Sequence, residues 1–207
     1  MVYRTTPKMK ERKEAHRAKL LQTAIGLFGK RGYHATTVPS IVQKSGSSTG
    51  AFYSFFRNKD DIFASALEHI GNRIAAALNK AIANEIGSTR VQMKIAVETF
   101  VAYLIENPYE ARILIVESSG LAGRLAKVRR AIIESHCRSV ELALASISDS
   151  LPRLEPKVAA SCWVGAVHES VFQWLESPVA DRISAKALAK EISEFNLRGI
   201  GEPEAGT

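Results

Sequence analysis

KSGSSTGAFYSFFRNK, residues 44–59, decides how the rest of the chain is read. A polar turn at Ser45–Ser48 holds Gly46 and opens an aromatic run, Phe52, Tyr53, Phe55 and Phe56, which Arg57, Asn58 and Lys59 close. Upstream, the apolar pair Ile41 and Val42 follows Pro39. The layout is helix, tight turn with glycine, second helix, which is a helix-turn-helix. In that motif the second helix enters the major groove, so its outer face carries small polar groups and its inner face bulky anchors. Ser47, Ser48, Thr49, Tyr53 and Ser54 supply the first, and Phe52 and Phe56, at i and i+4, the second.

The charge distribution points the same way. The net charge is +7, yet residues 1–59 hold 12 Lys or Arg against only Glu11 and Glu14, while residues 60–207 hold 16 against 19 acids. A charge run alone is usually a solvated face. Coinciding with a helix-turn-helix, it reads as a footprint for DNA phosphates.

The order Ser47, Ser48, Thr49, Gly50, Ala51, Phe52, Tyr53, Ser54, Phe55, Phe56, Arg57, Asn58, Lys59 resembles the DNA-recognition signature of the TetR (tetracycline repressor) family. The run LLQTAIGLFGKRGYHATTVPSIVQKSG, Leu20–Gly46, resembles that family's first helices. Two positions depart from the pattern. The basic residue that often follows the Ser is Thr49, and the imidazole that often precedes the last Phe is Phe55. Both bear on the operator sequence and neither on the scaffold. The resemblance adds Gly50 and Lys59 to the expected DNA contacts, and it implies an N-terminal DNA-binding domain over residues 1–58 and a helical regulatory domain over 59–207.

With 207 residues and 46% hydrophobic content the chain can bury a proper core, enough for one small domain joined to a larger one. No apolar run approaches the length of a membrane span. The basic start, MVYRTTPKMKERKEAHRAK, lacks the apolar stretch of a signal peptide, so a cytoplasmic location is expected. Cys137 and Cys162 do not make a disulfide framework and read as reduced core residues.

Working outward, residues 1–10 read as a basic arm, disordered without DNA, from which Arg4, Lys8 and Lys10 reach phosphates or a minor groove. Leu20, Ala24, Leu27 and Phe28 mark a first helix over Glu11–Lys30. Thr36 and Thr37 before Val38 and Pro39 are the arrangement of an N-cap with Pro in the first turn, so a second helix runs to about Lys44, and these hydroxyls are expected on a phosphate. Asn58 caps a long amphipathic helix to about Asn84, the one element long enough to touch both the DNA module and the body. Further helices are expected from Ser88 or Thr89 to Asn107, from Pro108 through YEARILIVES, from Ala122 to about Ser150, over Glu155–Glu176, and from Ser184 to about Asn196. The fold class is all-α, with about nine helices and no strand.

The resemblance implies a homodimer whose last two helices pair with their twins, which puts Val167, Trp174, Leu175, Leu188, Ile192 and Phe195 at the seam. Reading two half-sites also lets so small a DNA module find one site. The family's other implied task is sensing: a small-molecule effector enters a cavity among the central helices and shifts the long fourth helix. The expected walls are Phe100, Tyr103 and Leu104, then Ile113, Val116, Glu117 and Leu121, with Ile133, His136, Trp163 and His168. RILIVESSGL, in the sixth helix, resembles family members that respond to fatty-acyl or other lipophilic compounds.

No catalytic constellation is assembled. His136 beside Cys137 cannot share a helix face, two cysteines are too few for a closed metal site, and His168-Glu169 lacks the second His of a zinc helix. No enzyme activity, cofactor or metal is expected, and the partners are double-stranded DNA, an effector and a second copy of the chain. The remaining alternative is a ligand-independent or architectural DNA-binding protein, which a body without a cavity would favour.

Overall fold

Side-chain caps set where each N-terminal helix starts. The structure, a computed structural model, describes residues 6–147 and 155–201. Helix α1 (Pro7–Arg31) opens on Thr6, whose hydroxyl accepts the Met9 N–H, with Pro7 pre-set in the first turn. Residues 7–10 are therefore helical and not part of an arm, so Lys8 and Lys10 sit on exposed helical turns, while Arg4 lies outside the described residues. Helix α2 (Val38–Ser45) has a capping box in which Thr37 and Ser40 bond reciprocally, and it ends on Gly46 at φ 66°, a left-handed position that suits glycine. Helix α3 (Thr49–Tyr53) is capped by Ser48, whose hydroxyl accepts the Ala51 N–H at 3.1 Å.

Asn58 caps α4 (Lys59–Ala83), accepting the Asp61 N–H at 2.9 Å, and Asp60 and Asp61 lie in the first turn where the helix dipole favours anions. The body continues with α5 (Thr89–Glu106), a short α6 (Pro108–Ala111) that widens into a π-helical turn at Arg112–Glu117, α7 (Gly123–Ala145), α8 (Pro156–Glu176) and α9 (Ala185–Gly199). The α7 helix stops at Ala145, capped by Ser146, short of the expected Ser150, which lies outside the described residues. Among the described residues there is no strand, and no helix is long and apolar enough to cross a membrane.

One continuous core runs through these helices. Phe28 of α1 and Tyr33 both meet Phe63 of α4 edge-on with centroids 4.9 Å away, so the N-terminal helices are sewn to α4 by aromatic packing. Phe28, Phe52, Phe56 and Phe63 are fully buried, each worth about 1.5–3 kcal/mol of transfer free energy. In the body α5 packs on α9 and α7 on α8. The α4 and α7 helices run parallel: Asp61 pairs with Arg124 at 2.6 Å near their starts, and further on a Cβ on Gly71 would sit 3.1 Å from Ile132. Cys162 is exposed on the outward face of α8 and is not the core residue expected, whereas Cys137 packs half-buried against the core.

Candidate nucleic-acid interface and internal cavity

The α3 helix presents its polar residues outward. Ser48, Thr49, Gly50 and Ser54 are exposed and Tyr53 is 55% exposed, while Phe52 and Phe56 anchor the helix from behind at 0% and 1%. Ser47 is half-buried and bonds the His16 imidazole at 2.8 Å, tying α1 to the turn. The back of α3 is framed by cations that the sequence pattern did not single out: the Arg17 guanidinium lies 5.2 Å from the Phe56 ring centroid and the Lys13 ammonium 5.8 Å from that of Phe55. Their spacing of four residues on α1 was the available signal.

Two expected DNA contacts have internal work. Thr36 is fully buried and its hydroxyl donates to the Gly32 carbonyl at 2.8 Å, so it closes the turn after α1 and cannot reach DNA. Thr37 stays exposed at the cap of α2. The Lys59 ammonium donates to the Tyr33 carbonyl at 3.0 Å and stands 4.2 Å from the centre of its ring, so it fastens the start of α4 to the α1–α2 turn. The Tyr33 hydroxyl donates to Asp60; burial first, and then that carboxylate, push the phenol up to about 12. The Arg57 N–H at 3.0 Å and the Arg124 guanidinium hold the Asp61 carboxyl below its usual range against the opposing effect of burial.

Further back, the α1–α2 turn is gripped by the body. The Glu117 carboxylate, at the end of the π turn, accepts the Tyr33 N–H at 2.8 Å and the Arg112 Nε–H at 3.2 Å. It therefore faces α1 and no cavity. The adjoining Gly32 has φ 85°, and a Cβ there would meet the Glu117 carboxylate at 3.0 Å. On α1, a Cβ on Gly29 would fall 2.5 Å from the Tyr109 Cβ, so α1 and α6 approach to backbone distance. Tyr103, also expected on the cavity wall, instead donates its hydroxyl to buried Glu110, which takes Arg73 of α4 as its ion partner. Burial, and then Glu110, raise the Tyr103 phenol well above its ordinary value.

A cavity of about 290 Å³ lies in the body, at the lower end of the usual range for small-molecule sites. Four helices line it: α4 through Leu78 and Ile82, α5 through Met93, Val97 and Phe100, α7 through His136 and Val140, and α8 through Trp163, Val167 and His168. Its mouth lies between α4 and α7, past their contact at Gly71 and Ile132, where exposed Ala75, Asn79, Ser135 and Ser139 face one another. Of the expected wall residues, Phe100, His136, Trp163 and His168 are brought together here. Leu104 and Ile113 are core residues at 1% and 0% exposure, and Val116, Leu121 and Ile133 pack half-buried against that core without reaching the cavity. Burial lowers the His136 pKa, and burial, His136 and Arg129, in that order, lower that of His168 to about 3, so both rings are neutral near pH 7.

Val167, Leu188 and Ile192, expected at a dimer seam, are buried within the single chain, Val167 at the cavity and the other two on α9, which packs against α5. Trp174 donates its indole N–H to the Ile183 carbonyl at 2.9 Å and Leu175 is half-buried. Phe195 alone of that set is exposed, at 69%.

Residues 20–66 match the sequence profile of bacterial regulatory proteins of the tetR family. The uncharacterized HTH-type transcriptional regulator YdgC of Bacillus subtilis is 27% identical over 200 residues, covering 93% of this chain and 96% of its own. Two solved structures share the fold. The transcriptional regulator FadR from Bacillus subtilis in complex with stearoyl-CoA has a TM-score of 0.78 at 20% identity, covering 89% of this chain and 99% of its own. AibR in complex with isovaleryl coenzyme A and operator DNA has a TM-score of 0.70 at 18% identity, covering 87% and 96%. The capped helix-turn-helix with its polar outer face and these matches agree: residues 20–66 form the DNA-binding region of the tetR family of bacterial regulatory proteins, and over nearly its whole length the chain is similar to an HTH-type transcriptional regulator.

Proposed function

We propose that the chain is a ligand-responsive repressor that binds a palindromic operator as a homodimer and is released when a small lipophilic molecule enters the cavity of the body. The DNA-binding domain comprises residues 1–58 and the regulatory domain residues 59–207. The observation that carries this reading is that α4 both walls the cavity, through Leu78 and Ile82, and opens at Lys59, which is fastened to the α1–α2 turn. A ligand that repositions α4 must move the DNA-reading unit with it.

The recognition role of α3 draws support from Gly50. Glycine inside a helix costs roughly 0.5–1 kcal/mol against alanine, yet among the described residues a Cβ at Gly50 meets no atom within 4 Å. None of the described residues requires glycine there, whereas a closely approaching DNA backbone would. Exposed Ser48, Thr49 and Tyr53 then supply polar contacts, with Thr37 on a phosphate.

The homodimer is supported by apolar groups left uncovered on the late helices, with Leu142 at 65%, Val158 at 60% and Phe195 at 69% exposure. Val158, Cys162 and Gly165 follow one another at helical spacing on the outer side of α8. The lipophilic effector is supported by the mostly apolar wall and by the thioesters that the two similar structures hold. The cavity also weighs against the ligand-independent alternative.

Release requires that the ligand bind the non-DNA-competent conformation more tightly, and the effect on DNA cannot exceed that difference. The test is operator selection from random DNA, followed by fluorescence anisotropy of labelled operator with and without effector. Antagonism should be reciprocal, operator weakening ligand as ligand weakens operator. A molecule that binds the body yet leaves the operator isotherm unchanged would sink the sensing half of this reading.

A further inference from the structure

The polar outer face of α3 does not end with that helix. It continues past Tyr53 and Ser54 into a groove that Arg57, Asp61 of α4 and Arg124 of α7 complete. Tyr53, Ser54, Arg57 and Arg124 are all exposed. Among the described residues the groove therefore holds two cations and two hydroxyls against one acid. That acid is already engaged: one Asp61 oxygen accepts the Arg57 N–H at 3.0 Å and the other accepts an Nη1–H of Arg124 at 2.6 Å. The pairing does not exhaust Arg124. Its side chain is 55% exposed, and a guanidinium is a planar fork with donors beyond the one that Asp61 takes. Leu125, the next residue, is buried and anchors the first turn of α7, so the arginine is held at the groove by its own helix. Lys59, the cation expected to meet DNA from this end of α4, is instead turned onto Tyr33 and does not line the groove.

We propose that this groove seats a phosphate of the operator backbone, and that Arg124 is a DNA contact supplied by the regulatory body from outside the helix-turn-helix. A phosphodiester carries a single negative charge, which matches the single positive charge by which the cations of the groove outnumber its acid. Asp61 is the orienting group: an arginine pinned on one side loses less rotamer freedom when its remaining donors meet an anion. The groove is continuous with the face of α3 that carries Ser48, Thr49 and Tyr53, so a duplex lying on that face passes its backbone along the groove. A phosphate contact carries no sequence information, so Arg124 fixes how the duplex is seated and not which bases are read. It also puts a DNA contact and a cavity wall on one helix, since α7 lines the cavity further on at His136 and Val140. The proposal rests on the reading of α3 as the recognition helix, and it adds a contact from the other domain.

The experiment is fluorescence anisotropy of the full-length protein on operator selected from random DNA and on an unrelated duplex, at several salt concentrations. R124Q should weaken binding to both duplexes by the same factor, about tenfold near 0.1 M salt, and should lower the salt slope by about 0.9 for each protomer. R124K keeps the charge and loses the fork, so it should retain the slope and lose about threefold or less in affinity. D61N separates a contact from a scaffold role: it removes the acid that Arg124 pairs with and leaves the cation in place. It should bind operator at least as tightly as the wild type, with the full salt slope. Circular dichroism melts establish that each variant is folded.

An unchanged salt slope in R124Q would overturn the phosphate contact. So would a loss in D61N equal to that in R124Q, because the ion pair would then act through the scaffold alone. A loss confined to the operator would overturn the phosphate assignment in favour of a base contact. A wild type that bound no duplex would overturn this proposal together with the recognition role of α3, whereas full binding by R124Q would overturn the proposal and leave that role standing.

Discussion

The Glu117 carboxylate leaves the body to accept the Tyr33 N–H at 2.8 Å, closing a hydrogen bond between residues 84 positions apart in the chain. Its side chain is only 13% exposed and it also holds Arg112, so one acid at the end of the π turn fixes the turn between α1 and α2. Glu117→Ala should cost about 1–3 kcal/mol of stability, since it leaves a buried N–H without its charged acceptor. It should also weaken the effect of ligand on operator affinity more than operator affinity itself. Melting curves beside operator isotherms, with and without effector, separate the two.

Gly50→Ala makes opposite demands on stability and function. Among the described residues a Cβ there meets nothing within 4 Å, so the variant should be more stable by roughly 0.5–1 kcal/mol. Operator affinity should nevertheless fall tenfold or more. A stabilised variant with unchanged affinity would remove Gly50 from the DNA contact.

Tyr53→Phe should weaken binding to all sequences alike by removing a phosphate hydrogen bond, whereas changes at Ser48 or Thr49 should alter base preference. Binding should fall steeply with salt, with a slope of about −0.9 per neutralised phosphate. Anisotropy titrations at several salt concentrations measure both effects.

Phe195→Glu and Ile192→Glu should part company in sedimentation and melting. Phe195 is 69% exposed, so its replacement should split a dimer into folded monomers. Ile192 is 5% exposed, so a glutamate there buries an unpaired charge and should unfold the chain.

His168 carries a pH signature. Its pKa falls from 6.5 to about 3 on folding, so the unfolded chain binds a proton that the folded chain refuses. Stability should therefore be unaffected by this group above neutral pH and decline as pH drops below 6.5, by up to about 1.4 kcal/mol per pH unit. His168→Phe should flatten that part of the denaturation profile between pH 6.5 and the onset of general acid unfolding.

The N-terminal unit was legible because its signals are local. Thr37, Ser48 and Asn58 cap helices within three residues of themselves, and Gly46 takes a conformation that its own chemistry favours. The start of α1 was missed at Pro7, because the same residue type that breaks an arm also opens a helix at its first position. The cavity was only partly legible. Phe100 and Leu104 occupy the same apolar face of α5, and periodicity cannot say that the first lines a void while the second fills the core. That difference is set where α4 and α7 separate past Gly71 and Ile132, a matter of tertiary packing. The mouth residues Ala75, Asn79, Ser135 and Ser139 are small or polar and read as ordinary surface. Leu188 and Ile192 were misplaced for a related reason: an apolar stripe on a late helix does not reveal whether α5 or a second chain covers it.

The approach of Gly29 to Tyr109 has a mechanical meaning. With a Cβ position only 2.5 Å from the Tyr109 Cβ, no side chain intervenes between α1 and α6 to act as a compliant spacer. Side chains absorb small displacements by rotating about their torsions, whereas backbone in direct contact can only be pushed. The α1–α6 joint is therefore a bearing without slack, and a fraction of an ångström gained by α6 arrives at α1 undiminished.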